Sequence, residues 1–129
     1  MKKVAMIGVG KLGQDCAEVM AEKHEVRGYD IYPRQSDTVK VCDIEELVNE
    51  SDWIFIAVPT PHAQGYDGSV PSSHLQPQDF GHDAVIDAIT LVNQHANTSK
   101  RVVLISTVLP GTTRRHFYPL LDKKHQFLY

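Results

Sequence analysis

The sequence predicts a doubly wound parallel α/β sheet in one domain, and three observations carry that expectation. Four short apolar runs rich in valine and isoleucine, "VAMIGV", "EVRGYD", "WIFIAV" and "RVVLIS", recur without strict polar alternation, as strands buried on both faces do. Segments with apolar residues three and four positions apart lie between them, the spacing of one helical face. Strand and helix in alternation, with no internal repeat, describe a parallel sheet covered by helices on both sides. At 129 residues the chain fits one domain with its own core and leaves no room for a second complete one.

A first strand is expected near residues 2–8, running into Gly8, Gly10 and Gly13, and then a helix whose apolar face carries Leu12, Cys16, Val19 and Met20. A second strand near 25–30 ends in Asp30, and a third spans about 53–58. The segment from Thr60 to Gly81 is rich in proline and glycine and offers little to bury; a loop of that length is usually functional or disordered, and it is expected to be the least ordered part. A helix with Val85, Ile86, Ile89, Val92 and Ala96 on one face precedes a strand near 101–106. Pro110-Gly111 then makes a turn, with Thr112 or Thr113 placed to cap a helix. "KKHQFLY" reads as a closing strand near 125–129, and a strand at the very end suggests the front part of a longer protein.

Composition removes several classes of function. The net charge of −3 gives no basic footprint for nucleic acid or an anionic membrane. The longest apolar stretch, "WIFIAV", is far short of the ~20 residues that span a bilayer. Cys16 and Cys42 have neither metal-ligand nor redox-pair spacing, and the N-terminus has no signal-peptide pattern, which favours a reducing, cytoplasmic setting. No two of the seven histidines have the four-residue helical spacing of a metal site. Small molecules or protein surfaces are the partners that remain.

Gly8-Val9-Gly10-Lys11-Leu12-Gly13 lies between a strand and a helix, and Asp30 comes twenty residues after Gly10 at the end of the next strand. That arrangement is the dinucleotide-binding fingerprint of a Rossmann-type fold. Gly8 makes the tight turn, Gly10 admits a pyrophosphate to the backbone, and Gly13 lets the helix pack closely. Free amides and the helix dipole attract the phosphates. Asp30 can accept from both ribose hydroxyls and would repel a 2′-phosphate, so the expected cofactor is NAD rather than NADP. Arg34 is either an adenosine-side contact or a solvated loop residue.

Two further stretches, "VPTP" at Val58 to Pro61 with "DGS" at Asp67 to Ser69, and "STVLPGTT" at Ser106 to Thr113, complete a pattern with the glycine fingerprint. Together they resemble the N-terminal NAD-binding domain of the UDP-glucose/GDP-mannose dehydrogenases, over residues 1–129. The resemblance implies a two-step, NAD-dependent oxidation of a nucleotide-sugar C6 alcohol to the carboxylate through a cysteine-bound intermediate. It implies that Val9, Lys11 and Leu12 line the pyrophosphate with the three glycines, that Asp30 holds the adenosine ribose, that Thr60 and Thr107 face the nicotinamide, and that Val58 is a further cofactor-binding residue. Thr107 would also position substrate or water.

Departures from the family pattern limit what this chain is expected to do alone. Neither Cys16 nor Cys42 stands where the family has its nucleophile, and the family's sugar-binding lysine and asparagine and its catalytic glutamate fall beyond Tyr129. Covalent catalysis needs a positioned thiolate, so the resemblance implies cofactor binding without turnover, and a nucleotide sugar as partner only with the remaining domains. The interval from Asp30 to Asp52 is shorter than the family's usual excursion, which implies a more open adenosine side. The family dimerises through a later helix, and an apolar edge left exposed promotes self-association, so a homo-oligomer stays open. Two other readings remain: a non-catalytic nucleotide-binding module, and the cofactor domain of another Rossmann oxidoreductase of the 3-hydroxyacid or 6-phosphogluconate type.

Overall fold

In a computed structural model covering Met1–Tyr129, six strands form one sheet in the order β3-β2-β1-β4-β5-β6, and every neighbouring pair is parallel. The strands are β1 (Lys3–Ile7), β2 (Glu25–Tyr29), β3 (Lys40–Val41), β4 (Trp53–Ile56), β5 (Arg101–Leu104) and β6 (Gln126–Leu128). The helices are α1 (Lys11–Ala21), α2 (Ile44–Asn49) and α3 (Asp83–His95), with a short wide helical turn at Thr113–Phe117. The chain leaves β1 towards β2 and β3, then returns to the other side of β1 as β4. That reversal creates a crevice at the carboxyl ends of β1 and β4, where ligands bind in open α/β sheets.

Alternation along the central strands feeds two separate cores. Ala5 and Ile7 of β1, Ile54 and Ile56 of β4, and Val102 and Leu104 of β5 point to one face, where Leu47 and Val48 of α2, Val85, Ala88, Ile89 and Val92 of α3, and Phe117 cover them. Val4 and Met6 of β1 and Val26 of β2 point to the other, covered by Ala17 of α1 with Cys16, Met20, Trp53 and Phe55 at its margin. Burial on both faces is why these strands read as continuous apolar runs.

The five expected strands are present, and β3 joins them as a sixth. Its two residues carry no periodicity, and it exists because Arg27 and Gly28 of β2 offer it a free edge. α2 comes next, capped by Asp43, whose carboxylate accepts from the Glu46 N–H at 2.8 Å, a bond worth about 1 kcal/mol. Glu46 also pairs with Lys40 and, at 3.4 Å, with Arg27, so one carboxylate ties α2 to β2 and β3. The paired lysine holds that carboxyl below its ordinary range.

Both helical faces differ from the periodicity reading. Leu12 and Val19 are exposed on α1 and the buried positions are Gly13 and Ala17. Small residues at i and i+4 bring α1 so close to the sheet that larger neighbours are pushed outward. On α3, Ile86 lies at the margin and Ala88 takes its place inside. The expected threonine cap is also absent: Thr112 precedes the turn at Thr113–Phe117 without a capping bond, and its buried hydroxyl has no partner.

Between β4 and α3 the chain carries no helix or strand. Its ends are nevertheless pinned, because the Gly81 N–H donates to the Pro61 carbonyl at 2.7 Å. Inside the loop, the Tyr66 hydroxyl donates to the Gln76 carbonyl, and Asp67 accepts from the Ser69 N–H at 3.0 Å. Thr60 stands just ahead of that closure, on the sheet side.

Candidate cofactor site

A crevice of about 430 Å³ opens at the switch point. Its floor is the glycine turn. Gly8 adopts φ +96°, a left-handed conformation that other residues rarely adopt, and a Cβ there would lie 2.3 Å from the Ala57 carbonyl oxygen. At Gly13 an added Cβ would stand 1.8 Å from the Gly8 carbonyl oxygen, so the first turn of α1 lies directly on the loop. Gly10, at the start of α1, has open space where its Cβ would be. Two glycines are thus demanded by packing, while the third leaves a bare backbone facing the crevice. This is the shape a pyrophosphate requires at a helix N-terminus, and the residues present fit a dinucleotide.

Asp30 closes one side. Its carboxylate is nearly buried, with a side-chain exposure of 10%, and lies 3.5 Å from the Arg34 guanidinium. Oδ2 accepts the Val9 N–H at 2.9 Å and Oδ1 the Tyr32 N–H at 3.0 Å. Burial of an aspartate is tolerable because these partners compensate it. Each oxygen keeps acceptor capacity for a further donor.

The other side is built by the ends of β4 and β5, which bring Ala57, Val58, Pro59 and Thr60 against Ile105, Ser106 and Thr107. Ala84, Asp87, Ala88 and Leu91, one face of α3, complete the wall. Among the residues singled out in the sequence, Gly8, Gly10, Lys11, Leu12, Gly13, Asp30, Arg34, Val58, Thr60 and Thr107 all line this one crevice. Val9 does not. Its side chain is fully buried against Gly28 and its amide serves Asp30, so its contribution is to the turn rather than to the lining. Cys16 and Cys42 are both outside the lining, and burial pushes the Cys42 thiol up, the opposite of what an activated thiolate needs.

Sequence reasoning does not find the α3 wall or Ser106. The alanines and Asp87 of α3 carry no motif, and only the packing of Val85 and Ile89 into the core turns them towards the crevice. Ser106 begins the "STVLPGTT" stretch, but nothing in a sequence distinguishes its hydroxyl from that of Thr107.

A six-stranded parallel sheet in this order, with a glycine turn at its switch point and a carboxylate after the second strand, defines a dinucleotide-binding domain. Residues 34–128 match the profile of the UDP-glucose/GDP-mannose dehydrogenase family, NAD binding domain, and residues 1–66 match that of the D-isomer specific 2-hydroxyacid dehydrogenase NAD binding domain. The chain belongs to the UDP-glucose/GDP-mannose dehydrogenase family, as its NAD-binding domain. It is 28% identical to UDP-N-acetyl-D-mannosamine dehydrogenase of Methanococcus vannielii, an alignment covering 96% of this chain and 32% of that protein. To the protein CapL of Staphylococcus aureus it is 28% identical over 95% of this chain and 31% of that one. It therefore spans about a third of the length of these relatives. The fold matches that of GDP-mannose dehydrogenase from Pseudomonas aeruginosa, solved as a ternary complex, with a TM-score of 0.76 at 20% identity over 98% of this chain and 35% of that one. No helix is long and apolar enough to cross a membrane.

Proposed function

We propose that residues 1–129 form the cofactor domain of a nucleotide-sugar 6-dehydrogenase, binding NAD across the switch-point crevice. The observation that carries this reading is the Asp30 carboxylate, bonded to the glycine turn at Val9 and lining the same crevice as Gly10. In this reading the pyrophosphate lies over Gly8, Gly10, Lys11, Leu12 and Gly13, and Asp30 takes the adenosine ribose with Arg34 beside it. The nicotinamide faces Val58, Thr60 and Thr107, where NAD supplies a hydride acceptor. Thr107 then orients substrate or water at that end.

The substrate in this reading is a UDP- or GDP-sugar oxidised at C6. Neither cysteine of this chain lines the crevice, so the groups that act on the sugar come from outside it, and cofactor binding without turnover is the expected behaviour of these residues. Two free cysteines agree with a reducing, cytoplasmic setting. The exposed apolar residues Leu109, Tyr118 and Leu120 favour association with further protein, whether the same chain or another domain.

Calorimetric titration of the purified chain tests the reading. NAD is expected to bind with one site and NADP more weakly, and UDP-glucose and GDP-mannose to give no turnover with NAD. Absence of NAD binding, or equal binding of NAD and NADP, would overturn the assignment of the crevice.

A further inference from the structure

The ends of β4 and β5 are held together by a side chain where the strand ladder runs out. The last backbone bond between them is the Ile105 N–H donating to the Ile56 carbonyl at 3.0 Å. One step further, the Ser106 hydroxyl takes over. Its Oγ accepts the Val58 N–H at 3.0 Å and donates to the Val58 carbonyl, 2.8 Å away. A single hydroxyl thereby satisfies both main-chain groups of Val58, work that a neighbouring strand would otherwise do.

The placement of this bond makes it more than a strand ending. Val58 is two residues before Thr60, Ser106 is one before Thr107, and all four line the crevice. A backbone pair in that position would continue the sheet; here a side-chain bridge links the strand ends in its place. We infer that Ser106 is a positioning residue, which sets the separation of Thr60 and Thr107 and so shapes the nicotinamide end of the crevice. Its hydroxyl hydrogen-bonds to Val58 and to the Ile56 carbonyl, so its hold on the site runs through the main chain. The inference rests on the NAD reading above, in which the nicotinamide takes the β4–β5 side.

Because Asp30 and the glycine turn lie on the other strands, loss of the bridge should disturb one half of the dinucleotide and spare the other. The test compares NAD with ADP-ribose, which lacks only the nicotinamide, on the wild-type chain, Ser106→Ala and Ser106→Thr. Ser106→Ala is expected to weaken NAD about three- to tenfold, within the net free energy of the bond that holds the strand ends in the binding geometry, while ADP-ribose changes by less than about twofold. Ser106→Thr keeps the hydroxyl and should restore NAD binding. Unchanged NAD affinity in Ser106→Ala, or equal weakening of both ligands, would overturn the inference while leaving the cofactor reading intact. A wild-type chain that binds neither ligand would overturn the cofactor reading and this inference with it. If Ser106→Ala does not fold, the wild-type chain decides by ¹⁵N NMR: the Val58 amide should shift with NAD and stay in place with ADP-ribose, and a shift with both or with neither overturns the inference.

Discussion

The Val9 N–H donates to Asp30 Oδ2 at 2.9 Å, joining the glycine turn to the end of β2 across twenty-one residues of sequence. The carboxylate that would hold the adenosine ribose therefore also fixes the loop that would hold the pyrophosphate. Asp30→Ala removes both functions, and NAD affinity should fall by about tenfold or more, since a hydrogen bond to a charged group contributes about 1.5–3 kcal/mol. Asp30→Asn keeps an acceptor for Val9 but loses the charge. In that variant the loop is retained and the preference for NAD over NADP shrinks towards unity. Calorimetry with both cofactors on both variants separates the two roles.

Arg34 should modify that preference. Its guanidinium lies 3.5 Å from the carboxylate and offsets part of the field a 2′-phosphate would meet. A phosphate adds about two negative charges, and repulsion from one carboxylate at a few ångströms is on the order of 1 kcal/mol even in a water-like dielectric. Arg34→Ala should raise the NAD-to-NADP ratio by weakening NADP more than NAD. Melting temperature should barely move, because an ion pair with one partner more than a third exposed contributes little. An unchanged ratio would show that Arg34 faces away from the ribose, and a fall that it favours NAD.

The glycines of the turn separate fold from function. Gly13→Ala sets a methyl 1.8 Å from the Gly8 carbonyl oxygen, a backbone contact that only a shift of α1 relieves. Overpacking of this kind costs about 2 kcal/mol or more, a drop of roughly 8 °C in Tm for a domain of this size. Gly10→Ala meets nothing within 4 Å and keeps a φ of −81°, so the fold should survive with a Tm within a few degrees. Its methyl instead occupies the space proposed for the pyrophosphate, and NAD binding should fall at least about tenfold. Differential scanning fluorimetry beside NAD titration reads the contrast.

How much of the fold and the crevice is legible in the sequence depends on where the information lies. The strands are legible because burial on both faces leaves an unbroken apolar run, and Ile54, Ile56, Val102 and Leu104 carry it without ambiguity. Gly8 and Gly13 are legible because a left-handed turn and a close contact each demand glycine, and Asp30 because its carboxylate ends the second strand twenty residues after Gly10. β3 is not, since two exposed residues pair only through the edge that β2 offers. The face of α1 misleads for the opposite reason. Period counting favours large apolar residues such as Leu12 and Val19, whereas close approach to the sheet selects Gly13 and Ala17. Ser106 depends on two strand ends meeting after about fifty residues, a relationship that no local pattern encodes.

The pole of the sheet opposite the crevice should make the domain acid-sensitive. Lys100 is buried, with its ammonium donating to the Ser51 carbonyl at 2.8 Å and the Asn49 carbonyl at 3.2 Å, while its N–H donates to Nδ1 of the buried His125 at 3.0 Å. Desolvation, helped by Lys124 and Lys100 and opposed by Asp122, holds the His125 imidazole below its ordinary range. Desolvation also lowers Lys100, against the opposing pull of Asp52 and Glu50. A lowered pKa means that the unfolded chain binds protons more readily than the folded one, so stability rises with pH in that interval. For His125 the stabilising neutral form is fully present above the unfolded value of about 6.5. It is lost as pH falls from there through the lower folded value, with protonation also removing the acceptor for the Lys100 N–H. Tm should therefore decline as pH falls below about 6.5 in the wild-type chain. His125→Asn retains an acceptor without a titrating ring and should flatten that decline, even if it lowers Tm at neutral pH. An equally steep fall in His125→Asn would assign the acid sensitivity to other groups.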